Sequence, residues 1–129
     1  MHSLLISHAD PRPMYLQIME QIRHRIAVGD WPAGQELPSI RALAADLQVS
    51  VITIKRAYLE LERDGVIVTR QGKGSFVSDT ADLSTRLRRV ELDTHLDAAA
   101  AIGRQLGMSA EELAARLRQI LREKDGHDR

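Results

Sequence analysis

Residues 39–78 read SIRALAADLQVSVITIKRAYLELERDGVIVTRQGKGSFVS, and the order of patterns within this stretch decides the fold. Ser39 can cap a helix whose Ile40, Leu43, Ala44 and Leu47 fall on one face at helical spacing. Gln48 to Ser50 leave room only for a tight turn. A second stripe, Ile54, Ala57, Tyr58 and Leu61, then runs to Gly65, a residue suited to end a helix. The β-branched segments VIVT (66–69) and SFVS (75–78) bracket RQGKG, whose two glycines allow a hairpin tip. Together with a helix upstream, this order predicts a winged helix-turn-helix. In that architecture the third helix enters the DNA major groove and the wing reaches the backbone or minor groove.

Working outward, Tyr15, Ile18, Ile22 and Ile26 form one stripe of an earlier amphipathic helix that starts near Pro13 and that Gly29 is placed to end. GDWPAGQELP (29–38) reads as a structured connection. Residues 1–12 show no sustained period and carry Pro11 before Pro13, so they read as an arm rather than a packed element. Downstream, a fourth helix is expected from about Ala81, with Leu92, Leu96, Ala99, Gly103 and Leu106 recurring at coiled-coil spacing and Gly107 breaking the run. Ser109 stands three residues before Glu112, the pattern of a capping box, and Leu113, Leu117, Ile120 and Leu121 give the apolar face of a fifth helix. The expected molecule is mostly α with a small β wing. It divides into an arm (1–12), a winged helix-turn-helix (13–78) and a two-helix tail (79–129).

Composition bounds the function. A chain of 129 residues holds one domain and an appendage. It has no Cys, which excludes disulfides, thiolate metal sites and a cysteine nucleophile. No apolar run approaches the roughly 20 residues that cross a bilayer, and the N-terminus lacks the plan of a secretion signal, so no membrane contact and a cytoplasmic location are expected. The 18 basic and 18 acidic residues cancel, a mild argument against nucleic acid. Distribution matters more: from Arg41 to Lys73 there are six basic residues against four acidic ones, and three of those acids cluster at 60–64.

The residues expected to touch DNA follow from the elements. The third helix begins with Thr53, Lys55 and Arg56 near its N-terminus, where free N–H groups and partial positive charge favour phosphates. Arg41 opens the second helix opposite its apolar stripe, where it either holds a phosphate or base edge or is an ordinary solvated Arg. Arg70, Gly72 and Lys73 make a basic tip in which glycine permits close approach to a phosphate. The plainer reading is an ordinary turn. Val51 and Ile52 contact thymine methyl groups or pack under the helix start, and packing is favoured for one of them. His24 and His95 lack a second ligand at metal spacing, so neither a metal nor a cofactor is expected. Phosphate loops, nucleophile elbows and paired carboxylates in an evident pocket are missing from the sequence, and an enzyme is not expected.

The stretch from Pro13 to Ser78 closely resembles the DNA-binding domain of the GntR family of bacterial regulators. The likeness rests on the G-x-x-x-x-G-x-x-L-P-S segment, the T-x-x-x-A-Y-x-x-L-E-x-x-G helix and the R-Q-G-K-G-S-F-V wing. It implies DNA contacts at Arg41, Thr53, Lys55 and Gly72, with Arg56 and Lys73 as additions. Val51 departs from the polar or Arg residue common there, so no operator sequence carries over. The short tail looks like that of the YtrA-type branch, whose two helices dimerise. Leu92, Leu96, Ala99, Leu106, Leu113, Leu117 and Ile120 are the residues expected at such a contact. A homodimer binding a near-palindromic operator on double-stranded DNA, and repressing by blocking polymerase, is the expected mechanism. A small-molecule effector would act by shifting the population of competent dimers. The rival from another class is a protein-interaction adaptor, since winged helices also bind proteins.

Overall fold

A computed structural model describes residues 4–127. Among them the elements run α1 (Met14–Ala27), α2 (Ile40–Leu47), α3 (Val51–Arg63), β1 (Ile67–Arg70), β2 (Gly74–Val77), α4 (Leu83–Gln105) and α5 (Ala110–His127). This is the mostly helical fold with a β wing that the sequence predicts.

An eight-residue helix such as α2 is too short to persist alone in water, so packing and capping must hold it. Its Leu43 and Ala44 are buried, and the Ser39 hydroxyl accepts the Ala42 N–H at 3.1 Å. Gln48 closes the helix in the left-handed region, at φ 56°, and Ser50 caps α3 by accepting the Thr53 N–H at 3.1 Å. The core joins Ile18, Ile22 and Ile26 of α1 to Ile54, Ala57, Tyr58 and Leu61 of α3, and to Val66, Ile67 and Val77 at the base of the wing. Each large aliphatic side chain buried this way contributes on the order of 2 kcal/mol.

The wing pairs Ile67 with Val77 through to Arg70 with Gly74, antiparallel. The connection before α2 lies along its other edge. Leu37 N–H donates to the Ser75 carbonyl at 2.8 Å, Val77 N–H donates to the Gln35 carbonyl at 2.8 Å, and Glu36 bridges Phe76. β2 is therefore the middle of three extended segments. At Gly74 the backbone takes φ +123°, which favours glycine, and a Cβ there would lie 3.0 Å from a Glu36 carboxylate oxygen, which would have to shift slightly.

The segment from Leu4 is not a free arm. Leu4 is buried and Ile6 packs against the core. Gln17 and Gln21, one turn apart on α1, grip its backbone: Gln17 accepts the Ser7 N–H at 2.9 Å and donates to the Ser7 carbonyl, and Gln21 does the same for Leu5. In the consecutive Leu4, Leu5 and Ile6 only the first and third face the core, and two side-chain amides hold the backbone at Leu5 and Ser7, a pattern too short to register as a period. Arg12 then pairs with Asp10 and Glu20, and its hydrogen bonds hold the Asp10 carboxyl down to about 2.

The chain forms two compact units, one ending at Arg89 and one beginning at Val90. The expected divisions at 12/13 and 78/79 do not coincide with this packing, because Leu4, Leu83 and Leu87 join the first unit's core. In the second unit Gly107, at φ +75°, turns the chain between α4 and α5. The capping box forms as expected: Ser109 Oγ accepts the Glu112 N–H at 3.1 Å, and the Glu112 carboxylate accepts the Ser109 N–H at 3.2 Å. Gly103 is where the two helices close up, since a Cβ there would lie 2.8 Å from a Leu113 methyl carbon. Among the described residues no helix is long and apolar enough to cross a membrane, and no group of side chains could hold a metal ion.

Candidate nucleic-acid interface

The start of α3 is a compact polar knot. Ser50 Oγ sits 2.8 Å from the Thr53 hydroxyl as well as accepting the Thr53 N–H, so both hydroxyls are engaged inside the helix cap. Thr53 is half-buried and its hydroxyl makes one hydrogen bond, to Ser50, so an expected DNA contact would use the donor or acceptor capacity that remains. Lys55 and Arg56, in the next turn, are exposed. The Arg56 guanidinium lies over the Tyr15 ring, 4.0 Å from its centre, so α1 supplies a platform that orients it. Stacking uses the guanidinium face and leaves its edge donors available.

The acids further along α3 are all occupied. Glu60 accepts from Arg63 at 3.0 Å, the Glu62 carboxylate accepts the Thr69 N–H at 3.3 Å, and Asp64 pairs with Arg23 of α1. Arginines offset Glu60 and Asp64, Glu62 keeps its charge on a neutral amide donor, and Arg41, Lys55 and Lys73 are exposed with no ion pair among the described residues. A chain of zero net charge thus keeps three exposed cations that no carboxylate among the described residues holds.

At the wing tip Lys73 N–H donates to the Arg70 carbonyl at 2.9 Å, closing a turn whose Gly72 takes φ +78°. Arg70 lies over Phe76, 5.3 Å from the ring centre. The tip is tied to the helices through the connection before α2. The Leu37–Ser75 bond fixes that connection to β2, and the Tyr58 hydroxyl donates to the Pro38 carbonyl at 2.7 Å, fixing it to α3. Burial also pushes the Tyr58 hydroxyl pKa well above the ordinary tyrosine range. Arg41, α3 and the wing thus stand on one scaffold.

Sequence reasoning missed three contributors. Tyr15 reads as a core residue but serves as the Arg56 platform, and Phe76 does the same for Arg70. Ser50, directly before an apolar helical stripe, carries the usual signal of a cap. The expectation that Val51 or Ile52 packs under the helix start is overturned: Val51 is 46% exposed and Ile52 79%.

A capped recognition helix beside free cations, with a glycine-tipped wing held on the same scaffold, defines the chain as a winged-helix DNA-binding transcription regulator. The family model of bacterial regulatory proteins, gntR family, matches residues 14–77, and the chain belongs to that family. It is similar to the HTH-type transcriptional regulator YhcF of Bacillus subtilis, 34% identical over 79% of this chain and 84% of that protein. It is also similar to the HTH-type transcriptional repressor YtrA of the same organism, 33% identical over 67% and 76%. Among solved structures, a GntR family transcriptional regulator from Listeria monocytogenes matches at a TM-score of 0.76 and 31% identity, covering 85% of this chain and 96% of that one. The AraR DNA-binding domain in complex with operator ORX1 matches at 0.55 and 30%, covering 60% and 100%. These relatives are transcription regulators, and no enzyme family is indicated.

Proposed function

We propose that the protein is a homodimeric repressor, in which two chains join through the α4–α5 tail and lay their α3 helices in successive major-groove half-sites of a near-palindromic operator. One observation carries the DNA-facing part. Arg41, Lys55 and Lys73, from α2, α3 and the wing, are exposed and without ion pairs among the described residues, and the first turn of α3 carries no acidic residue. Lys55, Arg56 and Arg41 would hold phosphates or base edges, and Arg70, Gly72 and Lys73 would bring the wing against the backbone. Thr53 would stiffen the helix start and offer its remaining hydroxyl capacity to the DNA.

The tail supports the dimer. Leu92, Leu96, Leu106 and Leu117 are exposed on helices with apolar stripes, and Ala99, Leu113 and Ile120 lie on the same expected faces. Joining two readers raises the effective concentration of the second and turns two weak basic footprints into one usable affinity. The similar protein YtrA is a transcriptional repressor, and the same direction of control is proposed here.

The test is selection of genomic DNA fragments by the purified full chain at near-physiological salt, beside the Arg41→Ala/Lys55→Ala variant. Enrichment of a shared inverted repeat by the wild type alone supports the reading. Equal enrichment by the variant removes these residues from the interface, and no enrichment by either points to a protein partner instead. Sedimentation of the same samples checks the dimer.

A further inference from the structure

We infer that Ile52, with Val51 beside it, reads the 5-methyl group of a thymine in the operator's major groove, so that one position of each half-site is specified by apolar contact. The inference rests on the reading that α3 is the helix laid in that groove.

Ile52 stands nine residues before Leu61, half a turn from it about the helix axis, and so points directly away from the core that Leu61 fills. At 79% exposed it is the outermost large side chain at the tip of α3, and Val51 next to it is 46% exposed. Scattered exposed aliphatics are common and need no explanation. These two occupy the first two positions of a recognition helix, where side chains reach base edges.

The polar groups beside these two are drawn toward the protein rather than out past the helix tip. The Ser50 and Thr53 hydroxyls bond to each other and to the cap, and Arg56 is stacked on Tyr15. Lys55, one turn along, is a free point charge flanking the aliphatic tip. An apolar contact at the tip would thus stand beside the polar ones rather than replace them.

The chemistry of base edges selects the partner. In the major groove only thymine offers a methyl group, while the other three bases present hydrogen-bonding groups alone. An aliphatic side chain pressed on those groups strips their water and returns no hydrogen bond, so guanine, cytosine and adenine are disfavoured at that position. Contact with one methyl is worth roughly fourfold in affinity per half-site, hence roughly fifteenfold for a symmetric pair.

The experiment takes the selected operator and replaces each thymine in turn, in both half-sites, by deoxyuridine, which lacks only the 5-methyl group. Full-length wild type should lose roughly tenfold or more at one symmetric thymine position and little at the others. Ile52→Ala, at an exposed helical position and checked by an unchanged melting temperature, should bind the parent operator correspondingly less well. It should show no further loss at that position, the signature of coupling in a double-mutant cycle. Uniform indifference to uracil, a half-site without thymine, or equal uracil sensitivity in Ile52→Ala would each overturn the inference while leaving groove insertion of α3 intact. Retention of full affinity by Arg41→Ala/Lys55→Ala, or failure to select any DNA, would overturn the α3 reading and the inference with it.

Discussion

Replacing Tyr58 by Phe removes one oxygen and one hydrogen bond while keeping the ring buried in the core. The lost bond is the 2.7 Å contact to the Pro38 carbonyl. A neutral hydrogen bond is worth about 0.5–1.5 kcal/mol net, and an acceptor left unsatisfied in a sealed site costs up to about 3. Pro38 is half-buried, so water regains the carbonyl in part, and the expected loss is about 1 kcal/mol. For a unit of this size that lowers the melting temperature by about 4–8 °C. Trp31, buried and the only tryptophan in the sequence, reports urea unfolding of this unit directly. The raised Tyr58 pKa adds a second readout. Its folded value lies above the unfolded value of about 10, so the folded state keeps a proton that the unfolded state releases. Wild-type stability from this group is complete below about pH 10 and falls as pH rises above it. Tyr58→Phe should lack that part of the alkaline decline. A stability change below about 0.3 kcal/mol at constant urea dependence, with an unaltered alkaline profile, would refute the role given to this hydroxyl.

Gly74→Ala must place a side chain at φ +123° against Glu36, and should cost about 1–3 kcal/mol in urea unfolding and weaken DNA binding with it. Gly103→Val drives atoms into the Leu113 methyls and should destabilise the tail by about 1–3 kcal/mol, seen as dimer dissociation in sedimentation while the Trp31 transition is unchanged. Arg41→Ala, removing one phosphate contact per subunit, should lower the slope of log affinity against log salt by about 2 for a dimer, measured by fluorescence anisotropy over a salt series.

The helices were legible because each has an apolar stripe, turned inward in α1 to α3 and exposed in α4 and α5, and Ser39, Gly65 and Ser109 punctuate the chain as the pattern predicts. The wing was legible from β-branched residues around two glycines. What the pattern hid depends on partners distant in sequence. Nothing local to Gln35–Leu37 announces a third extended segment, because its hydrogen bonds go to residues some forty positions away. The docking of Leu4 depends on Gln17 and Gln21, whose amides look like ordinary surface groups until the backbone they hold is placed beside them. Tyr15 shows the same limit for the candidate site: it has the spacing of a core residue, and only the fold brings Arg56 over its face.

The seam between the connection ahead of α2 and β2 also sets how this domain should breathe. The amides of Leu37 and Val77 are donors in bonds that cross between segments far apart in sequence, so neither can be released without parting the seam. Their hydrogen exchange should be slow and matched, rising only with opening of the whole first unit, whereas Gln71 and Gly72 at the tip should exchange quickly. The fast and slow parts meet at Arg70 and Gly74, the last pair of the ladder. A tip of different length or sequence could be spliced between those two residues without parting the seam, which would alter how far the wing reaches along DNA while the helices keep their footing.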